Sequence, residues 1–177
     1  MSLLKNVYKI IFTQPGEPII LPYKQNLFSI MIISQLSYLP TPYDEFLYAK
    51  RSTLPDSGKG LFTKIDIPKG ANITEYWGKV SSWNEADHDE GLNGYIYFIN
   101  NRRVIDAKPH PEALARYAND ARGFSTMKGF SNNAVYAEIG KRVFIQATRF
   151  IPAGSEIFVR YGKEYWEVTK KNYADLV

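Results

Sequence analysis

The segment Ile151-Pro152-Ala153-Gly154-Ser155-Glu156-Ile157-Phe158-Val159-Arg160-Tyr161-Gly162 runs a turn into a short apolar stretch and ends on a tyrosine followed by glycine. Pro152 and Gly154 interrupt any regular element before Glu156, so Glu156 to Val159 reads as a short strand. A tyrosine held between a strand and a glycine can aim its phenol at a pocket while the backbone bends away. An aromatic core plug is the other reading of Tyr161. A second stretch, Ala115-Arg116-Tyr117-Ala118-Asn119-Asp120-Ala121, breaks the strand pattern with a polar string that no hairpin explains, and Asn132-Asn133-Ala134 opens the strand after it.

Outward from these two stretches the chain is a series of short strands separated by Gly, Pro, Asn and Asp. They are expected at Phe46 to Lys50, Leu61 to Thr63, Ile73 to Val80, Tyr95 to Ile99, Val104 to Asp106, Ala134 to Ile139 and Arg142 to Ala147. A helix is expected at Pro111 to Tyr117, where proline suits the first turn. Ser82 to Glu90 carries capping residues, Ser81 or Ser82 before Glu85, and reads as a short exposed helix at best. At the amino terminus Tyr8, Ile10 and Phe12 alternate before a Gln14 to Pro18 turn and Ile19 to Leu21, which reads as a hairpin. Leu27 to Leu39 leans toward a helix, although Ile30, Ile32 and Ile33 also suit a strand, and Pro40 with Pro42 stops either one. No repeat emerges. The parts are an extension over 1–44, packed on the core because of its many Ile, Leu and Phe side chains, a mainly β domain over 45–166, and a charged aromatic tail over 167–177.

At 177 residues, 45% hydrophobic and 23% charged, the chain has room for one domain with a substantial core. It has no cysteine, which excludes disulfides, cysteine nucleophiles and thiolate metal sites; its two histidines, His88 and His110, form no recurring ligand pattern. Twenty-two basic against 18 acidic residues leave a charge of +4, carried in pairs such as Arg102/Arg103 and Lys170/Lys171. That pattern reads as a solvated surface, with weak nucleic-acid contact as the alternative. Leu27 to Leu39 is 13 residues long and polar enough that no membrane span is expected, and no signal peptide is visible at Met1 to Ile10. Gly58-Lys59-Gly60-Leu61 lacks the rest of a dinucleotide or P-loop motif and alone reads as a tight turn. Gly-x-Ser-x-Gly is absent.

Taken together, these segments resemble the SET domain of protein lysine methyltransferases from about Phe46 to Trp166. Gly58-Lys-Gly60-Leu-Phe62 resembles the family's early glycine turn. Ile67-Pro-Lys-Gly70 followed by Glu75-Tyr76-Trp77-Gly78 resembles the strand after it, and Tyr97 through Asp106-Ala107 the approach to the active centre. Arg116-Tyr-Ala-Asn119-Asp120 stands where the family has Arg-x-x-Asn-His-Ser, Asn133 fits the next asparagine, and Val143 through Gly162 resembles the run ending Glu-Leu-x-x-Asp-Tyr-Gly. Two positions depart from the pattern: Asp120 replaces the histidine and Arg160 the aspartate before Tyr161.

The resemblance implies a mainly β, SET-domain β-clip fold of short strands, with a pseudo-knotted carboxyl-terminal segment and few short helices. It implies transfer of methyl groups from S-adenosyl-L-methionine to the ε-amine of a protein lysine, with a histone tail as the leading substrate and a non-histone lysine open. Tyr161, Tyr97 and Tyr76 become the catalytic set, Tyr76 being equally readable as core. The cofactor-binding set becomes Gly58, Lys59, Gly60, Leu61, Arg116, Asn119, Asp120, Tyr161 and Trp166. Arg116 is expected near the cofactor carboxylate, near the Asp120 loop or in a structural salt bridge. Tyr165 and Trp166 are expected to supply the wall that a zinc-binding cysteine segment supplies in many relatives, or simply to pack. Glu85, Asp87, Asp89 and Glu90 are expected as an acidic surface for a basic tail or as a solvated face. No metal is implied. The implied location is the nucleus or chromatin in a eukaryotic or viral setting and the cytoplasm otherwise, with nucleosome contact as an added partner. A catalytically silent peptide-binding module is the competing class.

Overall fold

A computed structural model describes residues 9–12, 18–21, 38–89, 92–123 and 128–174. The chain divides into two compact units, Met1–Leu39 and Pro40–Val177. In the first, β1 (Lys9–Phe12) and β2 (Pro18–Leu21) pair antiparallel, Lys9 opposite Leu21 and Phe12 opposite Pro18, as the alternation and the proline-glycine turn suggest. The Leu27 to Leu39 segment lies almost wholly outside the described residues.

The second unit holds nine strands among the described residues: β3 (Leu47–Arg51), β4 (Lys59–Thr63), β5 (Asn72–Glu75), β6 (Lys79–Ser81), β7 (Ile96–Asn100), β8 (Arg103–Asp106), β9 (Ala134–Ile139), β10 (Arg142–Ala147) and β11 (Glu156–Ile157). They form three antiparallel sheets of three strands, in the orders β11-β4-β3, β5-β10-β9 and β6-β8-β7. One α-helix, α1 (Lys163–Ala174), follows Gly162, and short 3-10 turns occupy Asp44–Phe46, Trp83–Glu85 and Leu114–Tyr117. This is the mainly β class, with few short helices, that the resemblance implies.

The sheets share one core. Leu61 from β4, Ile73 from β5, Val143 and Ile145 from β10 and Ile157 from β11 are all completely buried in a single cluster with Ile67, Ile151 and Val159. Each such side chain contributes roughly 1.5–3 kcal/mol by leaving water. Arg142 at the start of β10 closes one side of this packing by donating to both carboxylate oxygens of buried Glu75, at 2.9 and 2.7 Å.

The last strand locks the fold. β11 pairs antiparallel with β4, and beyond it Phe158 and Val159 bridge in parallel to Asn119 and Ala134. The Asn133 side chain staples this segment from both directions, accepting from Phe158 N at 2.8 Å and donating to Glu156 O at 2.8 Å. Residues 156–159 therefore lie between chain segments from far upstream, the pseudo-knotted arrangement expected of the fold.

Three sequence expectations need correction. Ile73 to Val80 is two strands, because Tyr76 N still bonds Val143 O at 2.7 Å while the chain then leaves β10 and pairs as β6 with β8. No proline separates the two, but the partner changes from β10 to β8. Pro111 to Tyr117 is no α-helix: after a turn at Pro111 and Glu112, only Leu114–Tyr117 is helical, as 3-10. Finally, most of the segment read as a charged aromatic tail is α1.

Candidate active site

The glycine turn and the polar loop meet at Glu156. Its buried carboxylate accepts from Ser52 Oγ at 2.7 Å, Thr53 N at 2.7 Å, Thr53 Oγ1 at 2.5 Å and, at 3.3 Å, Asn119 Nδ2. Asn119 Nδ2 also donates to Lys59 O at 3.0 Å, so this asparagine ties the loop to β4. Gly60 is required by close approach: a Cβ there would overlap the Glu156 carboxylate. Gly58 and Leu61 flank it, Leu61 wholly buried and Gly58 with nothing within 4 Å of where a side chain would start. Neither Glu156 nor the Ser52-Thr53 pair was singled out from sequence; a carboxylate opening a short strand looked like part of a turn.

On the other side of the loop, Tyr161 is held at both ends. Its hydroxyl donates to Ala118 O at 2.8 Å and its backbone N–H donates to Asp120 Oδ2 at 3.0 Å. Gly162 follows at φ +101°, which turns the chain out of the strand and into α1. The first turn of α1 brings Tyr165 edge-on to the Tyr161 ring at 4.8 Å and stacks Trp166 on it at 5.7 Å and 16°. The aromatic wall expected from Tyr165 and Trp166 therefore lies against Tyr161.

Tyr76, Tyr97 and Tyr136 form a second aromatic group, with ring centroids 5.9 Å apart for Tyr76 and Tyr97, 5.6 Å for Tyr76 and Tyr136, and 5.0 Å for Tyr97 and Tyr136. All three pack with Tyr161 and Tyr95 on the same core cluster. Tyr76 donates to Tyr95 O at 2.8 Å, and Tyr97 reaches Glu138 at 3.4 Å. Burial pushes the Tyr161 phenol well above its ordinary pKa, and repulsion from Tyr165, Tyr76, Asp120 and Tyr95 adds to it. Tyr136 is raised in the same way, by burial first and then by Tyr161, Tyr76 and Tyr97. Tyr97 is pushed up to about 12, by burial and then by Glu138. With their pKa values raised, Tyr161, Tyr136 and Tyr97 are neutral near pH 7. Tyr136 is a further site residue that sequence reasoning missed. Its signal was the period of two along β9, which puts it two residues after buried Ala134.

Among the described residues Arg116 makes no salt bridge. Its guanidinium lies 3.9 Å over the Tyr95 ring, Nη1 donates to Lys108 O at 2.9 Å, and Nε is buried with no partner. Asp120 and Trp166 line an open cleft of about 430 Å³ with Arg122, Arg160 and Lys163 at its rim, whereas Gly58 to Leu61, Arg116 and Asn119 do not line it. Arg160, the charge reversal beside Tyr161, is exposed and forms no ion pair among the described residues. In the acidic insert, Glu85 is engaged by Ser82 N and Oγ at 3.1 and 2.7 Å, and Asp89 pairs with Lys108 at 2.8 Å. That leaves less free negative charge than the sequence count suggests; Glu90 lies outside the described residues. Among the described residues no cluster of His, Cys, Asp and Glu could hold a metal, and no helix is long and apolar enough to cross a membrane.

A family model, the SET domain, matches residues 58–162. The histone-lysine N-methyltransferase EZH2 of Chaetomium thermophilum is 29% identical over 133 residues, which is 68% of this chain and 8% of that protein. The histone-lysine N-methyltransferase set-1 of Caenorhabditis elegans is 28% identical over 125 residues, 65% of this chain and 50% of that one. The chain thus spans half or less of the length of these curated relatives. Among solved structures, the methyltransferase domain of human PR domain-containing protein 2 shares the fold at a TM-score of 0.50 and 24% identity, over 71% of this chain and 80% of that one. With the glycine turn, the Asn119 loop and Tyr161 all inside a match that spans more than half its length, the chain belongs to the SET domain family.

Proposed function

We propose that this protein transfers methyl groups from S-adenosyl-L-methionine to the ε-amine of a protein lysine, with a histone tail as first substrate. The observation that carries the reading is Tyr161, pinned by Ala118 O and Asp120 beside the group of three further tyrosines. Family membership supports methyl transfer, and the two curated relatives bear the name of histone-lysine methyltransferases.

The residues present fit the cofactor. Arg116 offers a buried, unpartnered Nε to a carboxylate, open space adjoins Gly58, and Trp166 with Asp120 borders a cleft of suitable size for part of a nucleoside. Asn119 ties this loop to β4 through Lys59 O, beside Gly60 and Leu61. When bound, S-adenosyl-L-methionine supplies an electrophilic methyl group. The chain's task is to present a neutral lysine amine to it. Aromatic faces of Tyr76, Tyr97 and Tyr136 suit the aliphatic stem, and desolvation among neutral phenols lowers the ammonium pKa, which favours the nucleophilic form. The Tyr161 O–H is committed to Ala118 O, so its oxygen remains an acceptor for an amine N–H and can orient the lone pair.

Radiolabelled transfer to purified histones and a lysine peptide library, run beside Tyr161→Phe, tests this. Transfer by the parent that collapses in the variant is the expected result. Peptide binding without turnover under any substrate would replace the enzyme with a silent binding module, and undiminished transfer by Tyr161→Phe would remove the role given to its hydroxyl. A nuclear or chromatin setting, with the basic surface near nucleic acid, accompanies the histone reading.

A further inference from the structure

The Asp120 carboxylate is buried and takes four N–H donors from three separate stretches of chain. Oδ1 accepts from Arg122 N at 2.8 Å and Asn132 Nδ2 at 2.8 Å; Oδ2 accepts from Tyr161 N at 3.0 Å and Trp166 Nε1 at 2.9 Å. None of these four donors is a cation; each is a backbone, amide or indole N–H dipole oriented on the carboxylate. We propose that Asp120 is a positioning residue that clasps the carboxyl-terminal helix onto the tyrosine site and sets the orientation of Tyr161. The proposal rests on the methyltransferase reading for its kinetic consequence, but not for the clasp itself.

Tyr161 is fixed by two residues of one loop, its hydroxyl by Ala118 and its backbone by Asp120. Oδ2 is shared between that backbone and the Trp166 indole, so the helix and the tyrosine are tied to a single atom. The rings then stack, and Gly123 makes room, since a Cβ there would lie 2.5 Å from the Trp166 ring. Among the residues of α1 whose burial is described, Lys163, Glu164, Glu167, Val168, Lys170 and Lys171 are exposed. Four donors need an acceptor with free lone pairs on two atoms, which a carboxylate has. An amide accepts at one atom only and turns donors toward donors.

The full chain carrying Asp120→Asn tests the clasp by hydrogen exchange. Amides of 163–174 should exchange about tenfold faster or more while β4 and β10 keep their protection, the sign of local opening. In a Trp77→Phe, Trp83→Phe background the remaining Trp166 emission should move to the red as the indole becomes hydrated. Methyl transfer should lose about 10- to 100-fold in kcat, with the KM for peptide little changed, the pattern of a misplaced group. Unchanged helix exchange and unchanged emission in a folded Asp120→Asn protein would overturn the proposal. Should that variant not fold, Trp166→Phe removes the indole donor alone: release of the helix supports the clasp, and full protection of the helix rejects it. If the wild type transfers no methyl group, exchange and emission still decide the clasp while the function falls separately.

Discussion

Glu156 and Asp120 are both buried carboxylates fed by uncharged donors, one on each side of the Asn119 loop, yet they are mounted differently. Glu156 sits on β11, and its donors Ser52 and Thr53 directly follow β3 while Asn119 is bound to β4; the whole arrangement belongs to one sheet and its margin. Asp120 sits on a loop, and two of its four donors belong to Tyr161 and to a helix whose outer face is solvated. A buried acceptor inside a sheet acts on the stability of the entire unit. One that joins a loop to a terminal helix acts on the geometry of the site.

Substitutions can break that distinction. The largest expected effect is on the functional side: Tyr161→Phe keeps the ring and the backbone bond to Asp120 but should lower radiolabelled methyl transfer by about 100-fold or more, a usual cost of losing a group that positions a transferring centre. Circular dichroism should stay unchanged, and the thermal midpoint should fall by only a few degrees, about the cost of one buried hydrogen bond. On the structural side, Glu156→Gln leaves donors facing an amide and should cost about 2–3 kcal/mol in urea unfolding. Asp120→Asn should cost less than half of that globally. Equal global losses would erase the contrast. Gly60→Ala drives a methyl group at the Glu156 carboxylate and should cost about 1–3 kcal/mol. Combined with Glu156→Gln the two losses should fall short of additive, because both act through the same contact.

The smallest effect near neutral pH concerns the phenols. Tyr161, Tyr136 and Tyr97 have folded pKa values raised above the ordinary phenol value of about 10. Above pH 10 the unfolded chain therefore releases protons that the folded chain retains, and stability falls as pH rises. Below that the tyrosines contribute no slope. Unfolding free energy should be insensitive to them from pH 7 to about 9 and decline between about pH 10 and 12; Tyr136→Phe should make the decline shallower. A decline already present at pH 8 and removed by that substitution would contradict the burial of these phenols.

Much of the sheet framework was legible because its strands are short runs of apolar and β-branched residues set off by glycine-containing turns, as at Lys59–Thr63 and Arg142–Ala147. The break between β5 and β6 was not, since side-chain pattern does not reveal which sheet a strand joins. Helix α1 was hidden for a different reason. Lys163 to Lys171 is charged and carries no wide apolar stripe, and only Tyr165 and Trp166 in its first half turn toward the domain. At the site, Asn119, Asn133 and Tyr161 stand in recognisable motifs. Tyr136 looked like an ordinary sheet residue, and Asp120 was visible only as a departure; the four donors that give it meaning come together through the fold.

The placement of residues 156–159 between β4, Asn119 and Ala134 also governs how the chain reaches this state. During synthesis, β3 and β4 can form a hairpin early, but the contacts that close the core wait until Val159 has been made. Such late, long-range closure implies a slow search with apolar strands exposed in the meantime, and a chain halted before Glu156 has no route to a finished interior.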